Sequence, residues 1–254
     1  MKKLLLILLC LPMIGFGQPT VNIPDANFKA YLVGEPLINT NGDSEIQQSE
    51  ATAFNGTISC YYMNISDLTG IENFTALTTL FCYENQLTSL DVSQNTALTT
   101  LFCDFNQLTS LDVSGATDLY FLQCQSNQLT SLDVRTNTAL QYLYCYSNQL
   151  TSLDLRNGNN VNFAYFNATV NPNLSCISVD DTAWSTTNWT VSNLNIDTQH
   201  YFSNNCPPSA IEEHTTNKEL LKVTDLLGRE TNQTNQPLFY IYDDGTVEKR
   251  IVIE

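Results

Sequence analysis

Five cysteines stand at nearly constant intervals, Cys60, Cys82, Cys103, Cys124 and Cys145, and four aspartates follow the same step, Asp91, Asp112, Asp133 and Asp154. Clustered thiols can bind metal, form disulfides or act as nucleophiles, and clustered carboxylates can hold a cation. Spacing decides which chemistry is open to them. Residues repeated once per rung stack about 4.8 Å apart with parallel Cβ vectors, an unfavourable direction for bridging. A straight row does not converge on one ion either. The five cysteines are therefore expected to be buried, unreactive thiols acting as small hydrophobes. The aspartates admit two readings: a bound cation that relieves their mutual repulsion, or carboxylates that each accept a backbone N–H in a turn while facing solvent. Only two histidines occur, His200 and His214. No nucleophile–base set or phosphate loop accompanies them, which argues against an enzyme.

The elements that position these residues follow from a period of 21. Leu80, Cys82, Asn85, Leu87, Leu90 and Asp91 return as Leu101, Cys103, Asn106, Leu108, Leu111 and Asp112, and then twice more. Such self-similarity marks a solenoid in which each unit buries its apolar edge on its neighbours. The row Asn85, Asn106, Asn127 and Asn148 fits inward amides that satisfy backbone groups where a strand turns away. A first rung at Ile58–Cys60 precedes the regular ones by 22 residues, with Thr69-Gly70-Ile71 inserting one position. A sixth, Val161–Phe166, is degenerate: Phe166 is read as replacing the cysteine and Thr169 the asparagine, and Asn171–Leu174 ends the series. Residues 18–55 read as an N-terminal cap with helices at Ala26–Val33, after an Asp25 N-cap, and at Ser49–Phe54. Residues 176–208 read as a C-terminal cap.

This spacing of leucine, cysteine and asparagine resembles the leucine-rich repeat family over residues 56–175, and Ser66-Asp67-Leu68-Thr69-Gly70-Ile71-Glu72-Asn73 is similar to bacterial internalin phrasing. The resemblance implies an α/β-type leucine-rich repeat solenoid. It would be a short right-handed superhelix of six rungs, with a parallel concave sheet and turns, 3₁₀ or extended segments on the convex side. Asn39, Asn41, Asp43, Glu45 and Glu50 resemble an EF-hand loop, which implies a weak, structural calcium site. Asn39 brings no charge to the first position and Ser44 replaces the expected glycine. Internalin-type caps are themselves EF-hand-like.

Strand alternation carries the functional signal. If Leu80 and Cys82 point inward, then Phe81 and Tyr83 point outward, and the same phase exposes Tyr61, Phe102, Phe121, Tyr142, Tyr144, Tyr146, Phe163 and Tyr165. These positions vary in identity yet stay aromatic-rich along a ribbon of roughly 24 Å. Exposed apolar surface of this kind marks binding sites, and tyrosine suits interfaces. The expected role is adhesin-like binding of a protein or peptide. A carbohydrate ligand stacked on the rings is the alternative, and mutual packing of strand-favouring aromatics is the plain structural account.

Lys2 and Lys3 followed by the apolar run Leu4–Phe16 read as a signal peptide, residues 1–17. Thirteen apolar residues are too few to span a bilayer of roughly 30 Å, and no other stretch reads as a transmembrane anchor. Losing the two lysines takes the formal charge from −16 to −18. A chain this acidic repels phosphate backbones and anionic lipids, so nucleic acid is not an expected partner. In an exported chain, Cys176 and Cys206, outside the repeat, are expected to pair as a disulfide. The tail 218–254 holds Lys218, Lys222, Arg229, Lys249 and Arg250 and reads as a strand followed by a hairpin with an Asp-Gly turn. Asp225-Leu-Leu-Gly228-Arg229 and this hairpin resemble the C-terminal sorting domain of the type IX secretion system of Bacteroidetes. That resemblance implies passage across the outer membrane, removal of the tail at the linker 209–217, and an extracellular or cell-surface location.

Overall fold

A computed structural model describes residues 18–207, 220–224, 237–242 and 247–251. The expected signal peptide and the linker 209–217 lie outside the described residues.

The N-terminal segment carries two helices, α1 (Ala26–Gly34) and α2 (Gln48–Ala53). The Asp25 carboxylate caps α1 by accepting from the amides of Asn27 and Phe28. The same side chain reaches the repeat, accepting from Ser66 N at 2.9 Å. Burial opposes charge on Asp25, but the bonds from Phe28, Ser66 and Asn27 together hold its carboxyl below the usual range. Gly70, at φ 108°, lets the chain pass close to the cap, because a Cβ there would stand 2.9 Å from the Asn22 carbonyl.

From Thr57 onward, three-residue strands alternate between two sides of the coil. In chain order they are β1 (Thr57–Ser59), β2 (Thr79–Phe81), β3 (Ser89–Asp91), β4 (Thr100–Phe102), β5 (Ser110–Asp112), β6 (Phe121–Gln123), β7 (Ser131–Asp133), β8 (Tyr142–Tyr144), β9 (Ser152–Asp154), β10 (Tyr165–Asn167), β11 (Cys176–Ser178) and β12 (Tyr201–Ser203). The even members to β10, with β1, form a six-stranded parallel sheet in the order β1-β2-β4-β6-β8-β10. On the other side β3 pairs with β5, and β7, β9, β11 and β12 form a second parallel sheet. Extended backbone therefore prevails on the side expected to be convex, with 3₁₀ turns at Ile71–Asn73 and Asn160–Asn162. Ser-Leu-Asp is too short and too β-prone for a helix of several turns. The result is a parallel-sheet solenoid of about seven turns.

Each turn sends the same apolar set inward. Leu80, Cys82, Leu87 and Leu98 are fully buried, as are Leu101, Cys103, Leu108 and Leu119 one step later. Burying one leucine is worth roughly 2 kcal/mol, and the stack repeats that gain at every turn.

The sixth turn differs from the sequence reading. Phe166 pairs with Leu143, a step of 23, so it replaces the leucine and not the cysteine. Ala168 takes the cysteine's place, and Asn171, not Thr169, completes the asparagine row: its amide donates to Cys145 O and Ala168 O, and its oxygen accepts from Leu150 N. Two extra residues around Gly158 and the 3₁₀ turn at Asn160–Asn162 cause the shift. The same step places Phe163 where Leu140 stands one turn earlier. Its ring accordingly turns to the core, 6.4 Å from Phe166 and 5.5 Å from Trp189.

The end of the coil is closed by α3 (Thr182–Asn188), Trp189 and the Cys176–Cys206 disulfide (Cα–Cα 5.7 Å), as expected from those two cysteines. Residues 209–254 form a separate unit, in which β13 (Leu220–Thr224), β14 (Pro237–Tyr242) and β15 (Val247–Ile251) make an antiparallel sheet in that order. The expected Asp-Gly turn lies outside the described residues.

Candidate functional site: the aromatic face

Burial alternates along each strand of the six-stranded sheet. Thr79 and Phe81 are half-exposed around buried Leu80, and Tyr142 and Tyr144 flank buried Leu143. Register then lines up three outward rows. One runs Thr79, Thr100, Phe121, Tyr142, Tyr165, and the next Phe81, Phe102, Gln123, Tyr144, Asn167. The third runs Tyr61, Tyr83, Asp104, Gln125, Tyr146, Thr169, as the amides following each of the first five residues donate to the next turn's row member.

Rings meet across the turns. Phe81 lies 4.9 Å from Phe102, Phe102 4.9 Å from Phe121, Phe121 4.9 Å from Tyr142 and 5.8 Å from Tyr144, and Tyr144 4.3 Å from Tyr165. Separately, Tyr61 stacks on Tyr83 at 4.7 Å, with Tyr62 edge-on to both. Nine of the ten aromatic residues picked out in the sequence thus share this face, and Phe163 does not. Tyr146 makes no ring pair with them among the described residues.

Sequence alternation missed three exposed aromatics: Tyr62, Phe105 and Tyr120. Tyr120 lies 5.3 Å from Tyr142 at the start of a strand. Tyr62 and Phe105 follow the third row, where every turn enters the left-handed region: Tyr62 (φ 56°), Glu84 (55°), Phe105 (49°), Ser126 (55°), Ser147 (53°) and Val170 (57°). No glycine relieves this position, and the side chains there point away from the inward alternation.

Scaffold rows lie beneath. The asparagine amides bridge turns: Asn85 donates to Cys60 O and Cys82 O and accepts from Ile65 N. The five thiols are buried and free, and burial pushes Cys60 up to about 12 and the others up as well. Thiolate, the reactive form, is thereby suppressed. On the other sheet the aspartates follow the turn reading: Asp91 accepts from Ser93 N, Asp112 from Ser114 N, Asp133 from Arg135 N and Asp154 from Arg156 N. A groove of about 770 Å³ runs there past Asp91, Asp112 and Asp133.

No family model matches the chain. Residues of the chain are 38% identical over 73 positions to Internalin J of Listeria monocytogenes, a stretch that covers 28% of this chain and 8% of that protein. The repeats are similar to those of an internalin. The chain spans only a small part of that relative's length. Among solved structures, the functional domain of InlJ from Listeria monocytogenes, which includes a cysteine ladder, is 36% identical, with 61% of this chain and 36% of that one covered and a TM-score of 0.48. An internalin C2 from the same species is 19% identical over 74% of this chain and 97% of its own, with a TM-score of 0.42.

The EF-hand-like loop beside these internalin-like repeats is closed on itself. Both oxygens of Glu50 are taken by protein donors, Oε1 by Thr40 N, Thr40 Oγ1 and Asn41 N, and Oε2 by Gln47 N. Burial opposes charge on Glu50, yet these bonds together hold its carboxyl below the ordinary range. Glu45 grips Lys29 at 2.7 Å, Asn39 Oδ1 accepts from Gly42 N, and Asp43 Oδ2 accepts from Asn41 and Gln47. The oxygens expected for calcium thus accept hydrogen bonds from donors of the protein itself.

Proposed function

We propose that the chain is an exported, non-catalytic leucine-rich repeat protein that holds a protein or peptide partner against the aromatic face, in an adhesin-like role. The observation that carries this reading is the continuous, partly exposed ring surface from Phe81 to Tyr165, laid over buried rows of free thiols and hydrogen-bonded asparagines. Aromatic rings held by a rigid sheet lose little entropy on binding, which suits them to anchor a partner. Similarity to internalin repeats agrees with surface binding. The apolar N-terminal segment, the low content of cations and the tail's phrasing support export by the type IX route, removal of the tail and release or attachment outside the cell. No helix among the described residues is long and apolar enough to cross a membrane.

The test is a double variant, Tyr83→Ala with Tyr144→Ala, screened beside the unaltered chain on protein, peptide and glycan panels. Loss of binding to a protein or peptide with unchanged melting is the expected result. Undiminished binding removes the face from consideration, and binding confined to glycans favours the carbohydrate reading.

A further inference from the structure

We propose that the partner delivers a basic side chain, an arginine or lysine of a bound peptide segment, to Asp104 on the aromatic face. The inference rests on the reading above and specifies its chemistry. Tyr83, Asp104, Gln125 and Tyr146 occupy one row on four successive turns: Glu84 N donates to Asp104 O at 3.0 Å and Phe105 N to Gln125 O at 3.2 Å. The tyrosines at its ends are half-exposed, whereas Asp104 retains 7% exposure and Gln125 6%. Asp104 Oδ1 and Gln125 Oε1 are both buried without a donor. Among the described residues Asn95 Oδ1, Asn137 Oδ1 and Ser185 Oγ are likewise buried without a partner, but each belongs to a neutral side chain. Asp104 is the one of these five that can carry a charge, and a buried unpaired charge is the costliest to leave.

Charge selects the missing donor. The groups facing Asp104 are Glu84 and Tyr83 of the preceding turn, Tyr62 of the turn before that, Gln125 of the following one and the thiols of Cys82, Cys103 and Cys124 within. None of these carries a positive charge. From residue 30 to residue 134 there is no lysine or arginine at all, and Arg135 and Arg156 engage Asp133 and Asp154 on the other sheet. A neutral donor would supply a hydrogen bond but leave the carboxylate's charge uncompensated. A guanidinium or ammonium supplies both and can also lie against the adjoining tyrosine ring. Burial first, against the opposing pull of Asp104's own backbone N–H and with a smaller push from Glu84, takes the Asp104 carboxyl up to about 6, so a basic guest should be released on mild acidification.

The experiment uses the full chain and an array of short peptides that are arginine-bearing, lysine-bearing, neutral or acidic. Three variants stand beside it: Asp104→Asn, the charge-matched Asp112→Asn on the other sheet, and the double tyrosine variant. Basic peptides should be selected, and Asp104→Asn should weaken them about tenfold while Asp112→Asn leaves them unchanged. Binding by the unaltered chain should fall between about pH 7.5 and about pH 5, and that fall should vanish in Asp104→Asn. Equal binding of neutral or acidic peptides, or an unaffected Asp104→Asn, overturns the inference. If the double tyrosine variant still loses those peptides, the aromatic-face reading stands alone; if it binds as the unaltered chain does, both fall. An array without any binder overturns both as well.

Discussion

Asn106 donates its side-chain amide to the carbonyl of Cys82, a full turn earlier, at 3.0 Å and accepts from Leu87 N with its oxygen. One side chain thereby ties its own turn to two backbone groups of the turn before. Asn106→Ala leaves the buried Leu87 amide unpaired and removes one of the two donors to Cys82 O, Asn85 keeping the other. A loss of about 2 kcal/mol is expected, from roughly 1–3 kcal/mol per orphaned group. Urea unfolding measures it, and a loss under about 0.5 kcal/mol would contradict the bridging role.

Gly115 approaches Ser93 so closely that a Cβ would stand 1.7 Å from that residue's carbonyl oxygen. Backbone, unlike a flexible side-chain tip, cannot move aside at low cost. Gly115→Ala should lower the melting temperature more than Gly158→Ala, where φ is +74° but nothing lies within 4 Å. Calorimetry on the two variants ranks a rung-to-rung clash against a dihedral penalty of about 1 kcal/mol.

The five thiols of the cysteine row should resist alkylation in the folded chain, since burial suppresses their thiolates. Mass spectrometry after brief exposure to iodoacetamide should find them unlabelled, and labelled in denaturant. Modification of several without denaturant would show that the row is accessible.

Asp104 also makes a stability prediction that needs no ligand. Its folded pKa of about 6 lies above its unfolded value near 3.8, so protonation favours the fold. The associated stability is fully present below about pH 4 and is lost as pH rises through about 6. Asp104→Asn should therefore raise stability at neutral pH, by up to about 3 kcal/mol, and change it little near pH 4. Glu50 has the opposite sign, with a depressed pKa, and contributes above its unfolded value near 4.5 and less as the solution is acidified below it. Thermal melts across this range separate the two.

Periodicity made most of the fold legible. Residues repeated every 21 positions announce their own burial, and the register Leu80, Leu101, Leu122, Leu143 is the period written in space. Legibility failed where the step changed. Two residues inserted before Asn160 moved Phe163 and Phe166 into leucine places and left Asn171 as the true end of its row. A further inner row escaped notice because Ala116 interrupts it: Asn95 donates to Ile71 O and Phe74 O, and Asn137 to Val113 O and Ala116 O. On the face, a search for aromatic character passed over Asp104, whose meaning depends on lacking a partner. In the EF-hand-like loop, spacing alone could not tell that Glu50 and Glu45 meet donors of the protein itself.

The two sheets do not begin and end together. The six-stranded one runs from Thr57 to Asn167, whereas strands on the opposite side run from Ser89 to Ser203, so each end is sealed by a different segment at a different turn. Only the interior turns are interchangeable. A duplicated unit of 21 residues placed between Cys103 and Cys124 would meet neither seal and would lengthen the face by about 4.8 Å. Reach, in this architecture, is a quantity set by copy number, which unequal recombination can change while both ends stay as they are.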